Sequence, residues 1–247
     1  MKELTKSEKS ILIGLFLSKF DKEGLNYFGL STFTEAFNLF SYILDTTPST
    51  IKNYRDEFDP YFPNNRKGWR NREMKAYCRP IYDIFSSLSL SDFYNTIGSL
   101  LELDMYKEIL NETTEENQPL SAQKRLVTGL AAEHYFKSNY RLIPEFQSHT
   151  LKDTTLFGCG YDFELAHSHE NMYFVEVKGL SSQNGNIMLT QKEYYMAERL
   201  LDRYCLFVVK NFREKVNHSY YFNPLSSIGN FHRTERVVIQ VNYSVKI

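Results

Sequence analysis

The stretch from residue 160 to residue 179 constrains this chain most, because it places charged side chains inside an apolar segment. Residues 171–179, NMYFVEVKG, run apolar like a buried strand yet contain Glu176 and Lys178 two positions apart. Residues two apart on a strand project from the same face of the sheet. Burying a carboxylate and an ammonium there is costly unless they pair or bind something charged. The pattern therefore predicts a functional site on this strand.

Asp162 supplies a third charge from the preceding apolar segment, residues 160–165. The polar residues 167–171 are typical of a hairpin turn, which would bring Asp162 alongside Glu176. Two converging carboxylates suit a hard divalent cation, and we expect Mg²⁺ shared with waters and a substrate phosphate. Lys178 would position or help deprotonate a water and stabilise negative charge on the phosphate. Glu164, two residues beyond Asp162 on the same strand face, is a competing ligand.

The arrangement of Asp162 followed by Glu176-Val177-Lys178 resembles the PD-(D/E)XK nuclease superfamily, in which these residues lie on adjacent strands of a small sheet. In that superfamily a helix before the sheet often adds a glutamate to the metal site, and Glu133 in the amphipathic segment 122–136 occupies the matching place. Residues 191–195 resemble its QxxxY element. The resemblance implies Mg²⁺ bound by Asp162, Glu176 and Glu133, with Lys178 catalytic and Gln191 in support.

The order of elements is also that of the superfamily core: helix, hairpin, strand, helix, strand. Thr190 and Glu193 have capping-box spacing, which predicts a helix start, and residues 204–210 form an apolar run typical of a central strand. Residues 121–215 look like the DUF3883 (NOV C-terminal) branch, whose members are mostly restriction or defence proteins. The resemblance implies a type II restriction endonuclease or a related defence nuclease. Residues 220–225 and 236–247 are predicted to be strands that extend the sheet.

Each candidate also has a structural interpretation. Asp162 would be a turn residue, Glu176 and Lys178 a surface ion pair, Glu133 a solvated helix position and Gln191 a helix cap. His134, His167 and His169 could suggest a zinc site or a histidine-based nuclease. Their spacing matches no metal-binding motif, so we expect ordinary loop and surface histidines.

The N-terminal half is predicted to be helical, with helices over 7–20, 32–44 and 49–58 and further helices over 76–110. A short turn separates the second and third helices, and the third opens with small polar and basic residues, which suggests a helix-turn-helix. Its exposed positions would contact DNA: Ser49, Thr50, Lys52, Asn53 and Arg55. An ordinary helical hairpin gives the same pattern.

The most basic stretch of the chain follows this third helix. It contains the only tryptophan, Trp69, and a set of basic residues suited to phosphates: Arg66, Lys67, Arg70, Arg72 and Lys75. A solvated loop in which Trp69 anchors the chain to the core is the alternative. The stretch also resembles an N-terminal module that accompanies such nuclease domains in restriction proteins.

These patterns predict an α/β (α+β) protein in three parts. A helical, helix-turn-helix-like DNA-binding domain covers residues 1–110, a polar linker covers 111–120, and a restriction-endonuclease-like mixed sheet flanked by helices covers 121–247. The net charge of −1 gives no indication of a nucleic-acid partner, so any such partner would have to be bound by local basic patches. Three distant cysteines, no signal-peptide pattern and no spanning segment predict a reduced, cytoplasmic protein without a membrane partner.

The expected partner is double-stranded DNA. A subunit with one site must act twice or pair with a second copy to cut both strands, so a homodimer is expected. A cognate methyltransferase would belong to the same system. Two alternatives remain open: a DNA-binding protein without chemistry, and a nuclease subunit that depends on a partner translocase or methyltransferase, since the chain has no P-loop of its own.

Overall fold

The N-terminal half of the protein is built from helices. The structure is a computed structural model that describes residues 3–64, 66, 73–101, 119–168, 171–229 and 231–235. The N-terminal helices are α1 (Lys6–Tyr27), α2 (Phe33–Ile43), α3 (Pro48–Phe58), α4 (Arg79–Phe85) and α5 (Leu90–Leu100).

The predicted second and third helices are confirmed, and their starts have a local cause. Thr32 and Thr47 adopt extended backbone and accept the backbone N–H groups of the first turns of α2 and α3. The predicted end of the first helix, near Asp21, coincides with a break in α1. At Asp21 the backbone turns to φ +48°, which kinks α1, and the helix then continues to Tyr27. The polar segment that begins at Asp21 therefore interrupts the first helical segment, and a second segment follows it in a new direction.

The C-terminal half combines helices with a sheet. It contains α6 (Pro119–Asn139), β1 (Thr150–Asp153), β2 (Phe163–Ala166), β3 (Met172–Gly179), α7 (Gln191–Leu200), β4 (Tyr204–Lys210), β5 (Asn217–Phe222) and α8 (Pro224–Ser227). In the described residues the strands form one mixed sheet in chain order, in which β3 and β4 are parallel and the other neighbouring pairs are antiparallel. The predicted α+β class is confirmed.

Strand β4 is the best-buried strand, as its apolar run predicted, because only Lys210 at its end is not buried. Strand β1 was not predicted, since four residues with a Lys and an Asp carry no apolar alternation. The predicted strand over 220–225 begins earlier, at Asn217, and gives way to α8 at Pro224. The predicted strand over 236–247 lies outside the described residues.

Helix α6 lies across the sheet and contributes its apolar stripe to the core. Phe136 is fully buried, with its ring centroid 5.1 Å from that of Phe163 on β2 and 4.9 Å from that of Phe207 on β4. The close approach depends on Gly179, where a Cβ would lie only 2.7 Å from the carbonyl oxygen of Thr128 in α6. A glycine at the end of β3 therefore lets α6 pass directly over the strand that carries Glu176 and Lys178.

The helical half packs on the sheet half through α2. Asn38 donates from Nδ2 to the carbonyl oxygens of Phe212 at 2.7 Å and Glu214 at 3.0 Å. Glu35, fully buried on the same helix, lies 3.0 Å from Nζ of Lys124 on α6. Buried apolar residues from both halves form one continuous cluster. Of the predicted linker, residues 111–118 lie outside the described residues and 119–120 open α6, so the division into domains stays a prediction.

Candidate active site

Asp162 lies immediately before β2, at the point where the β2–β3 hairpin brings it to β3. The pairing of Phe163 with Val175 places the next residue outward, Asp162, opposite Glu176. The Asp162 carboxylate accepts the backbone N–H of Val177 at 2.8 Å, and its own backbone N–H donates to the carbonyl of Val175 at 2.9 Å. The predicted hairpin and the predicted meeting of Asp162 with Glu176 are therefore confirmed.

Gly160 fixes the path of the chain into this position. Its backbone has φ +88°, and a Cβ there would lie 2.9 Å from the carbonyl oxygen of Lys192 on α7. Its own carbonyl accepts the hydroxyl of the buried Tyr204 at 3.1 Å. The turn before β2 is thus held between α7 and β4, with Asp162 at its inner end.

Lys178 is held by two carboxylates. Its Nζ lies 2.6 Å from Oε1 of Glu176 and 2.8 Å from Oε2 of Glu193. Glu176 is 3% exposed, and Lys178 lies on the same face of β3, as the two-residue spacing predicted. The ion pairs are therefore largely shielded from water. Electrostatic interactions in such a shielded site are stronger than in water.

Glu193 is the member of this cluster that sequence reasoning missed as a site residue. It was recognised only as the third helical residue of a capping box, and that box is present: Thr190 accepts the N–H of Glu193, and the Glu193 carboxylate accepts the N–H of Thr190 at 2.9 Å. The position of Glu193 could have indicated this role. It lies at the start of the first helix after β3, and Lys178 lies near the end of β3.

Glu133 and Gln191, the other predicted site residues, differ in their relation to the cluster. Glu133 is partly buried on α6, close enough to Asp162 for its negative charge to raise the pKa of that carboxyl. Gln191 is exposed in the first turn of α7. The structure thus brings Glu133 to the acidic cluster and leaves the Gln191 side chain at the surface.

The cluster carries more negative than positive charge. Burial, and then the charge of Glu133, raises the pKa of Asp162 well above its usual range. Burial and the neighbouring Asp162 do the same to the pKa of Glu176. Burial alone would lower the pKa of Lys178, but Glu176, Glu193 and Asp162 outweigh it and raise that pKa. One ammonium faces several carboxyl groups, so a proton or an additional cation would offset the excess negative charge.

The donor chemistry fits the predicted Mg²⁺, although the ligands are not gathered into a ready-made centre. Among the described residues, no group of three or more His, Cys, Asp or Glu side chains has the arrangement of a metal site. The Lys178 ammonium already contacts Oε1 of Glu176, so a cation bound at that oxygen would compete with the ammonium. Asp162, Glu176 and Glu133 offer only oxygen donors, which Mg²⁺ prefers. A divalent cation bound here would offset the excess of negative charge in the cluster.

The competing ligand Glu164 is engaged elsewhere. Its carboxylate lies 2.8 Å from Nζ of Lys152 on β1 and accepts the hydroxyl of Tyr161 at 3.0 Å. Among the histidines, His134 is partly buried on α6, where burial lowers its pKa to about 4, so the expectation of a loop or surface position is wrong for it. His167 is exposed and its ring approaches the carbonyl of Ser148, whereas His169 lies outside the described residues.

The predicted DNA-contacting face of α3 is only partly exposed. Ser49, Lys52 and Asn53 are exposed, and Thr50 is partly buried. The prediction that Arg55 is exposed is wrong, because its guanidinium lies over the ring of Phe33 at 4.8 Å and pairs with Asp56 at 2.6 Å. Its flat, weakly hydrated head suits an aromatic surface, so the residue packs α3 against α2.

Arg66 is likewise engaged inside the protein. It pairs with Asp59 at 2.8 Å and with Asp21 at 2.5 Å, which ties the segment after α3 to the kink in α1. Lys75 is partly buried with Nζ 5.5 Å from the ring centre of Tyr77. The remaining members of the predicted basic patch, Lys67, Arg70 and Arg72, lie outside the described residues together with Trp69.

The fold and the site define an α+β protein in which Glu176 and Lys178 on β3 form an acid–lysine cluster with Asp162, just before β2, and Glu193 on α7. Residues 132–222 match the family model described as Protein NO VEIN, C-terminal. The match begins within α6 and ends with β5, so it contains the whole cluster. No curated protein and no solved structure matches the chain at a significant level. The predicted resemblance to the NOV C-terminal branch is thereby confirmed over these residues, and assignment to the nuclease superfamily stays a prediction.

Proposed function

We propose that this protein is a Mg²⁺-dependent DNA endonuclease of a restriction or defence system. The observation that carries the proposal is the meeting of Asp162, at the start of the β2–β3 hairpin, with Glu176 and Lys178 on β3, to which α6 adds Glu133. A buried group of acids with too little positive charge, next to a lysine, is a costly arrangement for stability alone. Perturbed ionisable groups of this kind are characteristic of catalytic sites.

Each side chain has a role in hydrolysis of a phosphodiester. Asp162, Glu176 and Glu133 would hold the Mg²⁺, which would supply charge stabilisation at the phosphate and at the leaving oxygen. Lys178 would orient the attacking water and offset the charge that develops on the phosphoryl oxygens. The water oxygen forms a bond to phosphorus and gives up a proton to solvent, the bond to the leaving oxygen breaks, and the leaving oxygen takes up a proton from solvent to become a hydroxyl. Gln191 at the start of α7 would support substrate binding.

Binding of double-stranded DNA would rely on residues that remain exposed. In the described part of the chain these are Ser49, Lys52 and Asn53 on α3, and the partly buried Lys75 lies beyond that helix. Lysine and small polar side chains contact phosphates and base edges in this way. Arg55 and Arg66 would support the surface from within, since both are paired inside the protein.

The wider setting follows from the same proposal. Cutting both strands with one site per subunit favours a homodimer, and a restriction enzyme would act beside a cognate methyltransferase in the cytoplasm. Among the described helices, none is long and apolar enough to cross a bilayer.

The decisive test is incubation of purified protein with unmodified and methylated plasmid DNA, in Mg²⁺ or EDTA. We expect cutting in Mg²⁺ only, and its loss in Lys178→Ala. Lys152→Ala is the matched control, because Lys152 also pairs with a glutamate on the sheet but is largely exposed. Equal thermal stability of both variants would separate lost chemistry from lost structure. Persistent cutting by Lys178→Ala would overturn the assigned role.

One observation favours a second candidate, a DNA-binding protein without chemistry of its own. Lys178 already neutralises Glu176 from inside the protein, as a purely structural ion pair would. On this interpretation the protein binds DNA through α3 and cuts nothing, or cuts only when joined by a partner translocase or methyltransferase. Tight DNA binding without cutting in the plasmid experiment, in any metal, would favour this candidate.

A further inference from the structure

We propose that Glu193 is a positioning residue that holds the Lys178 ammonium in place for catalysis, an inference that rests on the proposed nuclease function. The Glu193 carboxylate reaches Lys178 across the gap between α7 and β3. It thereby joins the start of a helix to the end of the catalytic strand. Neither residue could be assigned this relation from its sequence spacing, because fifteen positions separate them.

The geometry fixes the Glu193 carboxylate before it meets Lys178. One oxygen, Oε2, accepts both the backbone N–H of Thr190 at 2.9 Å and Nζ of Lys178 at 2.8 Å. The Glu193 side chain is 14% exposed, so water competes little for that oxygen. A lysine head on a flexible four-carbon stem is thus attached to a point that the helix start holds rigid.

Such a fixed point is needed because the other partner of Lys178 is a proposed cation ligand. If the oxygens of Glu176 turn to a cation, the ion pair between Glu176 and Lys178 weakens. Glu193 has no place among the proposed cation ligands, so its contact with Lys178 persists. Lys178 then remains directed at the site instead of extending into solvent.

The chain offers a matched control for this role. Glu8 occupies the same capping-box position in α1 that Glu193 occupies in α7, and its carboxylate accepts the N–H of Thr5 at 2.7 Å. Glutamine also suits this position, so Glu193→Gln and Glu8→Gln should both keep their helix starts. The Gln substitution at residue 193 removes the charge that faces Lys178, whereas the one at residue 8 changes only a distant helix.

The first measurement is cleavage kinetics of the full chain in Mg²⁺. We expect Glu193→Gln to lower kcat by about 10- to 100-fold, the usual effect of losing a group that orients a catalytic residue. KM and the thermal midpoint should stay close to wild type, and Glu8→Gln should change none of the three. Wild-type kcat in Glu193→Gln would overturn the proposal. If Glu193→Gln does not fold, Glu193→Asp, which withdraws the carboxylate by one methylene, is judged by the same criterion.

The second measurement does not depend on cleavage. Reductive methylation of Lys178, followed by mass spectrometry, reports how firmly its amine is held. We expect methylation of Lys178 to be faster in Glu193→Gln than in wild type and unchanged in Glu8→Gln. Equal rates in all three proteins would overturn the positioning role. If wild type cuts no DNA, the nuclease proposal fails, and the methylation rates alone decide whether Glu193 positions Lys178.

Discussion

The carboxylate of Asp162 accepts the backbone N–H of Val177 at 2.8 Å, and this bond holds an acid from the start of β2 against the middle of β3. It satisfies one oxygen of Asp162 with a main-chain donor that cannot move away. The consequence is that Asp162 stays beside Glu176 although like charges repel. The site is therefore organised by the hairpin backbone at the expense of electrostatic stability.

We expect Asp162→Asn to raise the free energy of unfolding by about 1–3 kcal/mol in metal-free buffer above neutral pH, while abolishing Mg²⁺-dependent cutting. The amide oxygen still accepts the Val177 N–H, and repulsion from Glu133 and Glu176 is removed. Urea denaturation measures the change. Asp153→Asn is the control. Burial by itself would raise the pKa of Asp153, but hydrogen bonds from Thr155 and Lys137 outweigh it and keep that pKa below its usual value. The Asp153 carboxylate is therefore stabilised in the folded protein, and the Asn variant should lose stability. A less stable Asp162→Asn would contradict the account of the site.

Addition of Mg²⁺ should stabilise the protein by mass action. At a concentration about 100 times the dissociation constant, the free energy of unfolding should rise by about 2.7 kcal/mol. EDTA should reverse the effect, and Glu176→Gln should reduce it because one proposed ligand is lost. Differential scanning calorimetry, with NaCl at equal ionic strength as the control, measures the shift. An equal Mg²⁺ effect in wild type and Glu176→Gln would show that the ion binds elsewhere.

Asn38→Ala should lower the free energy of unfolding by about 1–3 kcal/mol, because two carbonyl oxygens at the contact between the halves lose their donor. Asn53→Ala, on the exposed face of α3, should have little effect. Chemical denaturation of both variants makes the comparison. A stability loss limited to Asn53→Ala would show that the contact through α2 is unimportant.

His218 should make stability fall at acid pH. It stacks on Phe207 and meets the hydroxyl of Tyr135 at 2.9 Å, and burial lowers its pKa below the ordinary value near 6.5. Because the unfolded chain takes up the proton more readily, the contribution of His218 is complete above that value and is lost as the pH falls below it. His218→Gln should flatten this part of the profile of unfolding midpoint against pH. His232→Gln, which replaces an exposed imidazole, should follow wild type.

The sequence by itself determined the elements whose causes are local. Apolar spacing located α2 and α3, and a capping box located the start of α7. Two apolar segments around a polar turn located the hairpin, and the two-residue spacing placed Glu176 and Lys178 on one face. These features depend on residues a few positions apart, where backbone geometry alone fixes the relation. The central strand β4 followed from its unbroken apolar run.

Tertiary structure decided what each charged side chain does. Arg55 and Arg66 have the sequence character of DNA contacts. Arg55 instead lies over the ring of Phe33 from α2, and Arg66 pairs with Asp59 and with Asp21 from α1. Glu193 has the character of a helix cap, yet the packing of α7 beside β3 makes it a partner of Lys178. Local spacing specifies which face a side chain occupies, but its partner depends on which elements pack there. That choice is made by burial of the apolar core, which no short segment contains.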